Sequence, residues 1–586
     1  MRSFFKYTLA TVLGLFLFTV LSILILAGIG AAAEKGEVDV KDNSVLKIKL
    51  NTAIAERERE NPFEDLNIPG MEGAGVTGLY ELKKAILQAK DDKRIKGIFL
   101  ESGFTRIGNA VNEELRAALN EFRKSGKFIY AYGEYFSEAT YYTCTTADSI
   151  FLNPEGIVEF NGISYEVPFF KGTLAKLEIE PEIFRVGDFK SAVEPFIREN
   201  MSPENRMQVT SFLNSINNYN LSQVAKSRKM PVQTIKLISD SMKARSAEDA
   251  RNLGLVSKLA YFDEVMTSLR KKLKVEKDAD VHFISYRKYK KAGKEEESEV
   301  SSNKIAIITG EGEINTGKGD EGSIGSEKIC EALKEAREDK KVKAVVLRIN
   351  SPGGSALASD IMWREIQLTR KVKPVVASMS DVAASGGYYM AMGCDKIVAH
   401  PNTITGSIGV FGMMFNAQNM FKNKLGVTFD GVKTGQYSDL GSGTRPFTPA
   451  ERQIVQNEVN KIYETFTTKA AQGRKMPVEK LKALAGGRVW SGLEAKEKGL
   501  VDELGGMERA LELAAAQAKI GKDYRIKVLP AEKNFLEEIL EQIGGQAKTN
   551  WMKMQLGAFY SVFEQYKKLK QTEGIQTRLP VDFILN

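Results

Sequence analysis

The chain has 586 residues, 43% of them hydrophobic, more than one core accommodates, which predicts two or more domains. Its 83 Lys and Arg are interleaved with 75 Asp and Glu for a net charge of +8; that is a solvated surface, and it excludes a nucleic-acid partner. Three cysteines, Cys144, Cys330 and Cys394, have no CxxC spacing and exclude a disulfide framework or a zinc site, so they are read as small buried hydrophobes, and no metal or cofactor is expected.

After Arg2 and Lys6, residues 7–33 form an uncharged apolar run. It is longer than the core of a secretory signal and long enough to span a bilayer as a helix. With the positive residues ahead of it, the amino end stays in the cytoplasm and the body is exported. Ala31-Ala-Ala33 before Glu34 also fits a signal-peptidase site that would release the body, though length favours an uncleaved anchor. Residues 1–44 are therefore read as a cytoplasmic stub, a transmembrane helix and a connector.

Residues 45–50 alternate apolar and polar as a half-buried strand does, and residues 305–308 are their counterpart. Helical spacing over residues 81–88 and 331–337 leads into buried strands at 98–100 and 344–347, followed by strands at 127–130 and 374–377. Strands alternating with helices point to an α/β fold. The two series are copies. At a constant offset of 247, Ala85, Ala89, Asp92, Lys96 and Leu100 fall on Ala332, Ala336, Asp339, Lys343 and Leu347, and Tyr141, Tyr142, Asp148, Ile150 and Pro154 fall on Tyr388, Tyr389, Asp395, Ile397 and Pro401. The expected repeats are residues 45–286 and 304–520, joined by an exposed charged linker at 287–303. A tail, 521–586, carries amphipathic patterns at 535–543 and 551–569 that suit packing on the body or on another subunit, favoured here over lying on a membrane surface.

The candidate chemistry divides between the copies. Ser385, in Val382-Ala-Ala-Ser-Gly-Gly-Tyr-Tyr389, falls on Glu138 of the first copy; Lys190, in Phe189-Lys-Ser-Ala-Val-Glu-Pro-Phe196, falls with a one-residue slip on Ser438 of the second. Each copy thus holds the half that the other lacks. Ser385 follows a strand and precedes two glycines, a context that exposes a hydroxyl at a tight turn or that simply caps a helix. Consecutive glycines in Asn350-Ser-Pro-Gly-Gly-Ser355 can aim amides at an oxyanion or form an ordinary Pro-Gly turn. No Gly-Lys-Ser/Thr follows, so a nucleotide site is not indicated. A lysine acts as a base only where burial lowers its pKa; beside Phe189 it is otherwise a solvated residue. The two histidines, His282 and His400, sit in strand contexts unsuited to a general base, which argues against a Ser-His-Asp triad.

The Lys190 motif, Asn350-Ser-Pro-Gly-Gly354, Asp381-Val-Ala-Ala-Ser-Gly-Gly-Tyr-Tyr389 and Thr405-Gly-Ser-Ile-Gly-Val410 together resemble the long, duplicated form of the signal peptide peptidase A family over about residues 45–519. The resemblance implies a Clp/crotonase-like α/β fold and a serine endopeptidase that degrades remnant signal peptides. It implies Ser385 as nucleophile, Lys190 as general base and Ser407 as the residue that orients the lysine. The amides of Gly353 or Gly354 with that of Ser385 would form the oxyanion hole. It further implies a homotetramer on the extracytoplasmic, periplasmic face of a bacterial inner membrane, with residues 408–415 supplying part of an apolar groove. A membrane-tethered scaffold that binds peptides without cutting them, and a crotonase-type acyl-CoA enzyme, are the alternatives.

Overall fold

Long runs of Val, Ile, Leu and Ala flanked by amphipathic helices build two parallel sheets, as strands buried on both faces must. The computed structural model describes residues 39–58, 76–276, 280–292, 301–320, 322–530 and 574–579, together with helical residues 3, 4, 6–15, 17, 18 and 21. The first repeat contains β1 (Ser44–Leu50), α1 (Leu79–Asp91), β2 (Ile95–Ser102), α2 (Asn109–Arg123), β3 (Phe128–Phe136), α3 (Glu138–Cys144), β4 (Ser149–Val158), β5 (Glu180–Arg185), α4 (Pro203–Arg228), β6 (Lys258–Leu259) and β7 (Phe283–Ser285). Its sheet has the order β6-β4-β3-β2-β1-β7, parallel throughout.

A short helix, α5 (Tyr286–Ala292), leads to the second repeat, comprising β8 (Lys304–Glu311), α6 (Ser326–Glu338), β9 (Val342–Ser351), β10 (Gly353–Ser355), α7 (Ala356–Arg370), β11 (Val375–Ala384), α8 (Gly386–Ala391), β12 (Lys396–Ala399), β13 (Ile404–Gly406), β14 (Phe411–Asn416), α9 (Pro449–Arg474), β15 (Val489–Ser491), β16 (Glu503–Leu504), α10 (Met507–Gln517) and β17 (Arg525–Leu529). The order β16-β12-β11-β9-β8-β17 reproduces the first sheet strand for strand, with β13 added beside β11 and β15 antiparallel to it. Ile95, Phe128 and Ser149, which open β2, β3 and β4, precede Val342, Val375 and Lys396, which open β9, β11 and β12, by the same 247 residues. The duplication read from sequence is therefore one of fold.

Two expectations about the connecting segments change. The charged stretch after residue 286 is not all exposed linker, because Tyr286 and Tyr289 share one face of α5 and are buried against the first core, with Tyr289 Oη donating to Asp92 Oδ2 at 3.1 Å. The tail does not begin at 521 either. A parallel sheet needs an outer partner for β8, and β17 supplies it as β7 does for β1. Cys144 and Cys394 are buried as expected, while Cys330 is partly exposed. Among the described residues, no helix is long and apolar enough to cross a membrane. Residues 22–33 of the expected anchor and the segments 535–543 and 551–569 lie outside those described.

A third sheet joins the copies. Its order is Ser323–Gly325, Glu313–Asn315, β10, β18 (Gly574–Arg578), β14, β5, so a first-repeat strand ends a sheet made otherwise of second-repeat and tail strands. Buried charges cross the same boundary. Arg348 on β9 is 0% exposed and grips Glu56 through two bonds of 2.8 Å, with Glu114 of α2 at 2.7 Å. Glu114 also pairs with Lys83 of α1, which reaches Glu508 of α10 at 2.7 Å. Asp381 Oδ1 accepts from the amides of Ala110 and Val111 at the start of α2, at 2.7 and 3.1 Å. A Cβ on Gly108 would lie 1.9 Å from the other oxygen of Asp381, so only glycine admits this contact. Removing one partner of a buried ion network strands the others without water. Arg348→Met is therefore expected to lower unfolding stability by about 3–5 kcal/mol, measured by urea titration.

Candidate active site

Ser385 closes β11 and stands at the N-cap of α8, with φ 54° and ψ −109°, a conformation that a residue with a Cβ seldom adopts. The matching turn of the first repeat is relaxed: Ser137 has φ −66° and its hydroxyl accepts from the Thr140 amide. Ser385 makes no such capping bond. Its fully buried Oγ lies instead 2.9 Å from Lys190 Nζ and 3.4 Å from Gly409 O. The turn is crowded, since a Cβ on Gly386 would meet Ser359 Oγ at 2.6 Å and one on Gly387 would meet Ser351 O at 2.9 Å.

Lys190 comes from the other repeat. β5 crosses to the second copy by pairing antiparallel with β14, from Glu180 opposite Asn416 to Arg185 opposite Phe411. The chain then turns toward Ser385, held by Val186 N to Val410 O at 3.2 Å and Phe189 N to Gly486 O at 3.1 Å. Gln208 of α4 clamps this turn: its Nε2 donates to Phe189 O and Ser191 Oγ at 3.1 and 2.9 Å, and its Oε1 accepts from Val489 N at 3.0 Å. Glycines form the channel. A Cβ on Gly487 would lie 2.6 Å from Lys190 Cα, and one on Gly409 would lie 3.2 Å from Lys190 Cδ. The positive φ of Ser407, 49°, turns its Oγ and carbonyl oxygen to 3.0 and 3.3 Å from Lys190 Nζ.

Lys190 is 1% exposed, and burial alone pushes its pKa well below the ordinary lysine value of 10.5. Among the described residues, no carboxylate pairs with it. Lowering its pKa favours the free amine, and a free amine in contact with a hydroxyl is the arrangement that proton transfer from that hydroxyl requires.

Lys190, Ser385 and Ser407, named from sequence, thus meet in one place. The positions opposite them in the repeat do not. Glu138 is partly buried, which raises its carboxyl pKa, and it accepts from the amides of Asn161 and Gly162 at 3.3 and 3.0 Å. Ser438 is exposed and donates to Gly435 O at 2.9 Å within its own loop. Of the expected oxyanion donors, Gly353 and Gly354 lie beside the turn, with Gly353 at φ 105° and its amide 3.1 Å from Ser351 Oγ. The Ser385 amide is a correction: it donates to Gly406 O at 2.8 Å and is occupied in the sheet. The amide of Gly386 faces the glycine loop instead, 2.8 Å from where a Cβ of Gly353 would stand. In the first turn of α8 it has no helical acceptor.

His400 lies away from the pair, 3.4 Å from Glu114. Ile408, Val410, Phe411 and Met413 are buried in core clusters and leave little side chain for a groove. Gly486, Gly487 and Gln208 went unnoticed in sequence, and Gly409 stood there only as part of the Thr405–Val410 motif; the Gly-Gly pair after a helical stretch was the available signal.

A profile of peptidase family S49 matches residues 121–276 and 367–521. The chain is 34% identical over 549 residues to the chloroplastic serine protease SPPA of Arabidopsis thaliana, across 92% of this chain and 78% of that one. It is 35% identical over 480 residues to Protease 4 of Salmonella typhi, across 80% and 76% of the two chains, and 36% identical over 446 residues to Protease 4 of Haemophilus influenzae, across 74% and 72%. Among solved structures, a mutant ClpP1 from Listeria monocytogenes is similar over 35% of this chain and 94% of that one, at 18% identity and a TM-score of 0.24.

Between its lowered pKa and 10.5, Lys190 binds fewer protons folded than unfolded, so its contribution to stability improves as pH rises through that window. Lys190→Met removes the desolvation. Its melting temperature at pH 7 should equal or exceed that of the parent, with the gap narrowing toward pH 10 in scanning calorimetry.

Proposed function

The chain belongs to peptidase family S49 and is a serine peptidase, and on that premise we propose that Ser385 and Lys190 form its catalytic dyad. The observation that carries the proposal is a buried amine with no carboxylate partner among the described residues, 2.9 Å from a buried hydroxyl on a strained turn. Neutral Lys190 takes the Ser385 proton as Oγ attacks the peptide carbonyl carbon. The resulting oxyanion is received by the amide of Gly386 and a second donor from the glycine loop, the amide of Gly354 or that of Gly353 once it leaves Ser351 Oγ. The ammonium returns its proton to the departing amine, the C–N bond breaks, and the acyl group stays on Ser385. Water, deprotonated by the same lysine, then releases the acid and restores the serine. Ser407 is a positioning residue, holding the amine through two oxygens.

Substrates on this reading are extended apolar peptides, of which the remnants of cleaved signal sequences are the chemical type. Anchoring through residues 7–33, assembly as a homotetramer and a periplasmic location belong to the same proposal. They are supported by the resemblance and by the charge order at the amino end.

Ser385→Ala and Lys190→Ala should each lower kcat for a fluorogenic apolar peptide by at least about a hundred- to ten-thousandfold, with unchanged circular dichroism. Full activity of Lys190→Ala at neutral pH would end the dyad. Because the reacting form is the free amine, kcat/KM should rise with pH through an acid limb below the ordinary lysine value, and Ser407→Ala should displace that limb while leaving KM nearly unchanged.

A further inference from the structure

The first repeat keeps the frame of the reacting centre without its nucleophile. Tyr135 and Phe136 pair with Ile157 and Val158 as Val382 and Ala383 pair with Ile404 and Thr405, every position displaced by 247 residues. At that displacement Glu138 takes the place of Ser385, Ala139 that of Gly386, Phe160 that of Ser407 and Ile163 that of Val410. These four residues line a cavity of about 60 Å³, several times what one water molecule needs.

Among the described residues, the walls of this cavity carry a single charge, Glu138. Tyr142 of α3, Phe160, and Leu221 and Val224 of α4, all buried, supply carbon surface. The amide side chains in the wall are largely committed to one another. Asn112 Nδ2 donates to Ala139 O at 2.8 Å while its Oδ1 accepts from Thr143 Oγ1 at 2.6 Å, and Asn220 donates to Asn109 and accepts from Asn402 at 3.2 and 2.8 Å.

Glu138 is only half satisfied. Its Oε2 accepts both bonds, from the successive amides of Asn161 and Gly162, and the φ of 90° at Gly162 makes the turn that aims them. Among the described residues, Oε1 has no partner and no cation pairs with the carboxylate. Burial, and then the nearby negative charge of Glu159, hold the carboxyl above its ordinary pKa. A carboxylate so placed is stabilised by a cation that brings its own carbon surface. A guanidinium seeks two oxygens side by side, and Oε2 is already taken, so the point charge of an ammonium suits Oε1 better.

We propose that this cavity binds a primary ammonium ion on a short apolar arm, with Glu138 Oε1 as its counter-ion and Tyr142, Phe160 and Val224 around the arm. The site contains neither Ser385 nor Lys190, so it gives the first repeat a ligand of its own. The same chemistry is presented by a free amine, by the amino end of a peptide and by a lysine side chain.

The test titrates n-butylamine, leucinamide and Nα-acetyl-lysine methylamide against the full-length protein at pH 7 by saturation-transfer NMR, with 1-butanol and N-acetyl-leucinamide as the uncharged counterparts. Ligands of this size should bind with dissociation constants on the order of millimolar. Glu138→Gln keeps an acceptor for Asn161 and Gly162 and should weaken n-butylamine at least tenfold. Val224→Phe fills the cavity without touching the charge and should do the same, which covers the case in which one variant fails to fold. Ser385→Ala should bind as the parent does. n-Butylamine binding that survives Glu138→Gln or Val224→Phe, that 1-butanol matches, or that Ser385→Ala abolishes would overturn the proposal, as would no saturable binding of any of the three amines. Leucinamide held in preference to its acetylated form identifies the amino end of a peptide as the source, the lysine derivative held instead identifies a side chain, and n-butylamine alone identifies a free amine; each sustains the site. Because the readout is binding, the result stands whether or not Ser385 and Lys190 prove to be the dyad.

Discussion

A primary amine held in a dry interior with no anion beside it persists only as the free base, and the arrangement around Lys190 follows from that constraint. The charge must be kept out, so among the described residues no carboxylate pairs with the amine, and Ser407 offers two neutral oxygens. Water must be kept out too, so the stem runs between Gly409 and Gly487, where any side chain would collide. The hydroxyl must be brought to the amine, and Ser385 is turned away from its own helix at positive φ to do it. Each requirement is met by backbone placed to within a few tenths of an ångström, which explains why glycines and a strained serine cluster here.

The molecule handles its other deep charges in the opposite way. Arg348, Glu56, Glu114 and Lys83 are paired on every side, and Glu114 is held well below the usual carboxylate range by Arg348 and Lys83 despite its burial. Such a network contributes little net stability compared with apolar packing, but it is intolerant of misregister, and here it spans the two repeats. Lys190 has to arrive opposite Ser385 from a different core. The paired network fixes the relation between the cores, and the unpaired amine depends on it. Asp381, four residues before Ser385, carries this connection into the strand that leads to Ser385 by holding the first turn of α2.

Much of this was legible in the sequence. The constant offset marked two copies of one α/β unit, and the two sheets do repeat one strand order. Lys190, Ser385 and Ser407 stood in motifs distinctive enough to be named, and their mismatch across the repeat hinted that they work together. What escaped notice depends on distant contact. Gln208 looks like any helical glutamine until its turn is packed against Val489, and the Ser385 amide looks available until β13 is laid beside it. The charged stretch after residue 286 reads as a linker because two tyrosines among lysines give a weak pattern, yet three positions apart they bury one helical face. The strand at 574–578 is polar and short, and its pairing is set by the two edges that receive it.

The crossing of β5 from one copy to the other has a consequence for molecules that are damaged or half made. On the dyad reading, no contiguous half of this polypeptide holds both reacting atoms, and opening of either core carries the amine away from the hydroxyl. A protease whose machinery sat in one repeat would stay armed while the other frayed, free to cut its neighbours. Here the two cores act as a dead-man's handle: hydrolysis is possible only in a chain that is whole and fully folded, and misfolded copies disarm themselves.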